Sequence, residues 1–243
     1  MDDEIDQLLK SLGLHRVREI WDSEMERATK AASPPSYRDV TCRLLREQYA
    51  WQRQRSMEYR IKQAKLPEKW SLDTFPFHLQ PGVSPAVMKQ LGELDFVPHA
   101  QNVVFIGPTG VGKTGLAVGL LLRALENGYR GVFMSAQDLF DEMFASLADR
   151  STRQLLNRLK SVDVLLIDEM GYLNLKPEQT NIFFKLMEER YGRKSTIITT
   201  NLDYDDWYGF LGRKEMVGAL LDRLRHRCNT VRIDGISLRT PQP

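Results

Sequence analysis

The stretch Val103-Val104-Phe105-Ile106-Gly107-Pro108-Thr109-Gly110-Val111-Gly112-Lys113-Thr114 decides the fold of this 243-residue chain. An apolar run at 103–106 predicts a buried strand, the pattern G-x-x-x-x-G-K-T follows it, and a helix is predicted over 113–127. In such a loop the glycines let the backbone fold tightly, so that amide N–H groups and the helix N-terminus point at negative charge. The stretch therefore predicts a phosphate-binding P-loop.

The loop and the first turn of its helix are expected to hold the phosphates of a nucleotide. Lys113 is expected to reach the β- and γ-phosphates, and the Thr114 hydroxyl to ligate Mg²⁺. The predicted nucleotide-binding residues are Gly107, Pro108, Thr109, Gly110, Val111, Gly112, Lys113, Thr114 and Gly115.

A second apolar run, at 162–167, ends in the carboxylates Asp168 and Glu169 and matches a Walker B strand. A buried parallel strand would deliver Asp168 beside the P-loop, where it can hold Mg²⁺ directly or through water. Glu169 would then orient and deprotonate a water for attack on the γ-phosphate. The alternative is a strand that merely ends in solvated acids, and the P-loop upstream argues against it.

The next predicted strand, at 196–200, ends at Asn201. A polar residue in this place can reach the γ-phosphate or the attacking water. An asparagine after a strand is often only a turn former. Its position after the Walker B strand favours the first interpretation, a sensor.

Three arginines lie in a predicted helix near the end of the chain, over 221–227. Arg223 and Arg227 are four residues apart and share a face, whereas Arg225 points elsewhere. Such a pair suits an arginine finger that reaches the γ-phosphate held by a neighbouring subunit. A basic surface helix is the alternative, and either Arg223 or Arg227 could be the finger.

The order of predicted elements gives the fold class, α/β. Strands that alternate with helices imply a parallel sheet covered by helices on both faces. A helical N-terminal domain is expected at 1–66, a linker that wraps onto the core at 67–98, and the P-loop domain at 99–243. Besides those named above, the predicted elements are a strand at 131–135 and helices at 136–158 and 177–191.

Composition narrows the classes of function. The two cysteines form no CxxC pair, so a disulfide framework and a zinc site lack support and a cytoplasmic location fits. No apolar run approaches the length of a spanning helix, and the acidic N-terminus is unlike a signal peptide, so no membrane association is expected. The net charge of +2 conceals a stretch over 43–69 with eight basic and three acidic residues. This stretch is either a solvated helix face or a nucleic-acid contact surface.

Several of these motifs together resemble the IstB family, the AAA+ ATPase helpers of bacterial insertion-sequence transposases, which are similar to DnaC-type helicase loaders. The motifs are the P-loop, Asp168-Glu169-Met170-Gly171-Tyr172, Thr199-Thr200-Asn201, Trp207 and Asp222-Arg223-Leu224. Family members usually close with G-x-S-Y-R, where this chain has Gly235-Ile236-Ser237-Leu238-Arg239.

That resemblance implies an AAA+ (ASCE) core that binds ATP and Mg²⁺ and hydrolyses ATP, with Asn201 as the sensor I residue and Arg227 or Arg223 as the finger at a subunit interface. It implies a homo-oligomer on double-stranded DNA that deforms the DNA and recruits the transposase of the same element. Three alternatives stay open: a replicative helicase loader, a P-loop kinase acting on a small molecule, and a nucleotide-gated scaffold in which hydrolysis only resets the state. Glu169, Asn201 and the arginine pair favour water over a metabolite as the phosphate acceptor.

Overall fold

The computed structural model describes residues 2–68, 70–171, 173–212 and 214–239. The chain forms two compact units, Met1–Tyr59 and Arg60–Pro243. Within the described ranges, no helix combines the length and apolar character needed to cross a membrane. The helices are α1 (Asp3–Ser11), α2 (His15–Lys30), α3 (Tyr37–Gln63), α4 (Pro85–Gly92), α5 (Lys113–Glu126), α6 (Ala136–Ala148), α7 (Thr152–Ser161), α8 (Pro177–Arg190), α9 (Trp207–Leu211) and α10 (Lys214–His226). The strands are β1 (Asn102–Ile106), β2 (Gly131–Ser135), β3 (Val164–Met170), β4 (Ser195–Thr200) and β5 (Cys228–Arg232).

The larger unit is built on a five-stranded sheet in the order β2-β3-β4-β1-β5, in which every neighbouring pair is parallel. The strand β1 lies between β4 and β5, with Val104 opposite both Ile198 and Thr230. The predicted α/β class and parallel sheet are confirmed. Sequence patterning missed β5, because Cys228-Asn229-Thr230 contains little apolar character.

Successive residues of β1 pack on opposite faces of the sheet, as the two-residue period of a strand requires. Val104 and Ile106 join the core formed with α6, α7, α8 and α10. Val103 and Phe105 join the core formed with α4 and α5. Helices therefore cover both faces, which explains why the central strands read as continuous apolar runs.

Two predicted elements differ from the structure. The helix expected over 136–158 is interrupted between α6 and α7, where Arg150 has a φ of 61° and the Ser151 N–H donates to Asp149 Oδ1 at 2.9 Å. The third strand begins two residues later than expected and continues through both carboxylates to Met170. Val162 instead follows the end of α7.

The smaller unit packs α1, α2 and α3 around Leu9, Val17 and Leu44. The start of α2 has no side-chain cap of its own, and Gln48 of α3 supplies one by accepting from the N–H groups of Arg16 and Val17. Ser36 and Asp39 form a reciprocal cap at the start of α3: the Asp39 N–H donates to Ser36 Oγ at 3.2 Å, and the Ser36 N–H donates to Asp39 Oδ2.

The segment before the sheet, within the predicted linker at 67–98, contains α4 and two short 3-10 helices, Leu72–Thr74 and Phe77–Leu79. Leu72, Phe75 and Met88 are buried in the same core as α5. This segment therefore lies against the helix that follows the P-loop and helps to position it.

Candidate active site

The P-loop connects the end of β1 to α5 at the carboxyl edge of the sheet. Gly110 and Gly112 have φ values of 87° and 95°, a left-handed conformation that favours glycine. Gly112 caps α5 without a side chain, and no acidic residue lies in the first turn of that helix. The amide groups and dipole of the helix N-terminus are thus left for an anion.

Lys113 lies back over the loop. Its Nζ donates to the carbonyl oxygens of Gly107 at 2.8 Å and Pro108 at 2.7 Å. Burial lowers the pKa of Lys113, the Asp168 and Glu169 carboxylates oppose that shift, and the charge of Arg239 adds to it. The half-buried Lys113 ammonium is bonded to two carbonyls, and a phosphate would give it an anionic partner in their place.

Asp168, at the end of the buried part of β3, is 6% exposed. The Thr114 hydroxyl lies 3.0 and 3.1 Å from its two oxygens, and the Thr199 hydroxyl donates to Oδ1 at 2.5 Å. A carboxylate and a hydroxyl side by side at the P-loop are the hard oxygen ligands that Mg²⁺ takes. These residues fit a nucleotide-bound Mg²⁺.

Glu169 lies at an irregularity in the β3–β4 pairing. Ile167 pairs with Ile198 and Met170 pairs with Thr200, so three residues of β3 pass two of β4. This bulge gives Glu169 a φ of 59° and exposes it between two buried neighbours. The Glu169 N–H donates to Thr199 Oγ1 at 2.9 Å, so one hydroxyl fixes both acidic residues.

A cavity of about 590 Å³ lies over the P-loop and unites most of the predicted site. The predicted side chains Lys113, Thr114, Glu169 and Asn201 all line it, and Asp168 reaches it through Thr114. Its other lining residues are Trp70, Phe75, Pro76, Thr109, Gly110, Gly112, Gly115, Ser135, Gln137, Gly171, Leu173, Thr199, Thr200, Leu238 and Arg239. Tyr172, part of the quoted D-E-M-G-Y motif, lies outside the described residues.

Sequence reasoning missed the part that three residues play in this cavity. Thr199 was visible within the T-T-N element, but nothing in the pattern indicated that it bonds both Asp168 and Glu169. Trp70 lies 37 residues before Gly107, the start of the P-loop, and Arg239 lies 125 residues after Thr114, its end. No local motif links such distant segments.

The two candidate finger arginines are not at this cavity. The Arg227 carbonyl accepts from the Asn102 N–H at 2.7 Å, at the start of β1, whereas the P-loop follows the end of that strand. The five residues of β1 separate those edges by roughly 16 Å. Arg223 is an exposed residue of α10 and lies 3.5 Å from Glu188 of α8. In the described part of the chain, the Arg227 guanidinium has no ion-pair partner.

Residues 7–242 match the family model of the IstB-like ATP binding proteins, IstB_IS21. The chain belongs to this IstB-like family. The family assignment predicted from the motifs is thereby confirmed, and ATP is the nucleotide that this IstB-like chain binds. The match includes the smaller helical unit as well as the P-loop core.

Curated relatives agree with that assignment. The insertion sequence IS21 putative ATP-binding protein of Pseudomonas aeruginosa is 36% identical over 97% of this chain and 88% of its own length. The insertion sequence IS5376 putative ATP-binding protein of Geobacillus stearothermophilus is 32% identical over 98% of this chain and 94% of its own length.

Solved structures of replication proteins share the AAA+ fold of the IstB-like chain. AMPPCP-bound DnaA from Aquifex aeolicus matches with a TM-score of 0.59 at 25% identity, over 70% of this chain and 51% of the DnaA chain. The DnaC helicase loader matches with a TM-score of 0.57 at 23% identity, over 68% of this chain and 96% of that chain. The chain thus spans about half of DnaA and nearly all of the loader structure.

Proposed function

We propose that this protein is a Mg²⁺-dependent ATPase that oligomerises on duplex DNA, remodels it, and helps the transposase of the same element to select and use a target site. The observation that carries the ATPase part is the joint placement of Lys113, Thr114, Glu169 and Asn201 around one cavity, with Asp168 bonded to Thr114. Membership of a family whose relatives are insertion-sequence proteins supports the transposition part.

Phosphate binding begins with Lys113. Its Nζ would exchange the carbonyl oxygens of Gly107 and Pro108 for the β- and γ-phosphates. Both carbonyls lie on the loop that would bind the phosphates, so Lys113 Nζ is already beside the proposed phosphate site. The amide groups at the start of α5 would bind the same phosphates.

Thr114 and Asp168 would hold Mg²⁺, which supplies neutralisation of the charge on the phosphate oxygens when bound. Thr199 keeps the Asp168 carboxylate in place from the neighbouring strand. Glu169, held by the bulge, would accept a proton from the attacking water. Asn201, at the end of β4, would orient that water or the γ-phosphate.

Assembly would complete the site. Arg227 lies at the opposite edge of the sheet from its own P-loop and is exposed, so its guanidinium would serve the nucleotide of a neighbouring subunit. Arg223, one turn earlier, already has Glu188 as a partner. We therefore favour Arg227 as the finger, with ATP held between subunits.

Duplex DNA is the proposed substrate of the assembly. Arg46 and Arg53 of α3 are exposed, and the described residues offer them no carboxylate partner. Contacts to phosphates would release counterions, so DNA binding should weaken steeply as salt rises. A helicase loader would share these features, but the curated relatives carry insertion-sequence names, which favours a transposase as the client.

Replacing Lys113 with Ala tests the core of this proposal. The variant should lose ATP binding and, because ATP would join subunits, also lose the DNA-bound oligomers seen by electron microscopy with ATP and duplex DNA. Lys160→Ala is the matched control, since Lys160 pairs with Glu189 on the surface of α7. Persistent ATP-dependent assemblies of Lys113→Ala would contradict the proposal, as would phosphorylation of a metabolite in place of phosphate release.

A further inference from the structure

Thr199 of β4 lies opposite the bulge in β3. The residues before and after it in β4 pair with Ile167 and Met170 of β3. Thr199 therefore faces the two residues between them, Asp168 and Glu169. A bulge leaves the extra residue of the longer strand without a regular ladder partner. The peptide N–H of that residue needs an acceptor from elsewhere, because an unpaired buried N–H is costly.

The Thr199 hydroxyl makes two hydrogen bonds, one to each acidic residue. Its Oγ1 accepts from the Glu169 N–H at 2.9 Å, and the hydroxyl donates to Asp168 Oδ1 at 2.5 Å. A hydroxyl has one proton and an N–H cannot accept, so that proton is directed at the Asp168 carboxylate. Thr199 is fully buried, and its branched Cβ restricts its χ1 angle. Both bonds thus come from a side chain with little rotational freedom.

The two bonds form a continuous chain from the Glu169 peptide through Oγ1 to the Asp168 carboxylate. Hydrogen bonds in such a chain polarise one another, and a charged acceptor strengthens the bond that it accepts. A change in the position of the carboxylate is therefore transmitted to the Glu169 peptide. Without the shared hydroxyl, the two acids would be held separately.

The bond from Thr199 also distinguishes the two oxygens of Asp168. Oδ1 accepts from Thr199, whereas the Thr114 hydroxyl lies at 3.0 Å from Oδ1 and at 3.1 Å from Oδ2. Oδ2 therefore accepts fewer bonds and keeps lone pairs for a hard cation, directly or through water. Thr199 thus selects the carboxylate oxygen that would face the metal.

At its other end, the chain supports the backbone of Glu169. A φ of 59° is a left-handed conformation that is unfavourable for residues other than glycine. Such a conformation persists where surrounding contacts hold it. The N–H bond to Thr199 is one of these contacts, and in this conformation Glu169 lines the cavity over the P-loop.

We propose that Thr199 is a positioning residue that couples the metal-binding carboxylate of Asp168 to the proton acceptor Glu169. When Asp168 holds Mg²⁺, its carboxylate would be fixed, and the shared hydroxyl would fix the Glu169 peptide with it. Glu169 would thereby be oriented for hydrolysis as the metal site fills. The inference rests on the proposed ATPase site and adds to it a link between its two acids.

Thr199→Val tests the coupling, because valine keeps the branched Cβ and removes the hydroxyl. Binding of a non-hydrolysable ATP analogue is titrated with Mg²⁺ and with EDTA, and phosphate release from ATP is measured at saturating Mg²⁺ and ATP. The variant should bind the analogue about tenfold more weakly in Mg²⁺ but within about twofold of the parent in EDTA, since Thr199 orients a metal ligand. Phosphate release should fall about tenfold or more, because the bond to Glu169 is lost as well. Thr199→Ser keeps the hydroxyl and should recover most of both.

Thr196→Val is the matched control. Thr196 is a fully buried residue of the same strand, and its hydroxyl accepts from Arg190 Nε at 3.1 Å at the opposite edge of the sheet. This variant also loses one buried hydroxyl of β4, but analogue binding in Mg²⁺ and phosphate release should both stay within about twofold of the parent. If it changed them as much as Thr199→Val does, the effect would come from the stability of β4 and the inference would be wrong.

Either effect of Thr199→Val without the other would overturn the coupling. A parental rate of phosphate release would mean that the hydroxyl serves Asp168 alone, and parental binding in Mg²⁺ would mean that it serves Glu169 alone. In the Glu169→Gln background, Thr199→Val should still weaken binding in Mg²⁺ but add little to the loss of rate. A further loss of the full size would show that the hydroxyl does not act through Glu169.

The parent protein separates failure of this inference from failure of the proposed function. A parent that releases no phosphate from ATP, or that binds the analogue equally well in Mg²⁺ and in EDTA, would contradict the proposed Mg²⁺-dependent ATPase before Thr199 is considered. A parent with both properties, together with a Thr199→Val variant that keeps them unchanged, would refute the coupling alone.

Discussion

The two edges of the parallel sheet differ in the surroundings of their charged residues. At the carboxyl edge, Lys113 is held by backbone carbonyls and Glu169 adopts a left-handed φ beside an exposed cavity. At the amino edge, Asp163 and Arg190 are bonded on several sides by groups of the chain itself. The first edge presents its charged side chains to the cavity over the P-loop, whereas the second bonds Asp163 and Arg190 to groups of the chain.

Arg190 illustrates the amino edge. It is 1% exposed and donates to the carbonyl oxygens of Leu159, Val162 and Ser195 and to Thr196 Oγ1. Burial lowers its pKa to about 10, and the charge of Asp163 opposes that shift. A buried guanidinium with this many acceptors ties α7, α8 and β4 together.

Charged residues lie at both edges of the sheet, so charge alone does not identify the edge that carries the site. Buried or strained groups exist at both ends of the strands, and among the described residues those at the carboxyl end, Lys113 and Glu169, line the cavity over the P-loop. Parallel topology explains the choice of edge, since the helix N-termini and loops that follow the strands meet there.

The largest effect is expected from Glu169→Gln, which removes the proton acceptor but keeps the shape of the bulge. The ATP hydrolysis rate should fall about a hundredfold or more, while ATP affinity and ATP-dependent assembly on DNA persist. A phosphate-release assay measures the hydrolysis rate, and nucleotide titration measures the ATP affinity. Glu178→Gln on the surface of α8 is the control; normal hydrolysis by Glu169→Gln would remove Glu169 from the mechanism.

Substitutions at the amino edge should change the stability of the protein and not its ATP hydrolysis rate. Arg190→Met leaves buried acceptors unsatisfied, so the free energy of unfolding should drop by about 3 kcal/mol or more in urea titrations. Arg193→Met, an exposed position in the following turn, should change it little. If Arg190→Met were as stable as the parent, the proposed structural role of the amino edge would be wrong.

The smallest effect concerns Asp163. Burial alone would raise its pKa, but the Lys194 ammonium at 2.6 Å, together with the Arg130 N–H and charge, holds the pKa below its usual range. Because the folded-state pKa is depressed, this group stabilises the protein above about pH 4 and loses that contribution as pH falls through the lowered pKa.

Asp163→Asn should therefore be less stable than the parent near neutral pH and converge with it in acid. Thermal melting across pH 7 to 2.5 would detect this convergence, with Asp205→Asn as a comparison at an exposed carboxylate. A constant difference at every pH would mean that Asp163 acts through packing and not through its charge.

The sequence by itself determined the site's core and the class of fold. The P-loop and the pair Asp168-Glu169 are each contiguous motifs, so they can be recognised from local sequence. The alternation of apolar runs with amphipathic helices implies a parallel sheet, in which the residues that follow the strands meet at one edge. The start of α5 at Lys113 followed from the same local rules.

Only the tertiary structure decided the rest. The bulge that exposes Glu169, the hydroxyl of Thr199 that holds both acids, and the path of residues 233–239 over Gly110 all depend on contacts between segments distant in the chain. β5 was missed for the same reason: its pairing with β1 stabilises a polar run that has weak strand character of its own. Local patterns select residues for a strand or a loop, whereas the position of one segment over another is set by packing.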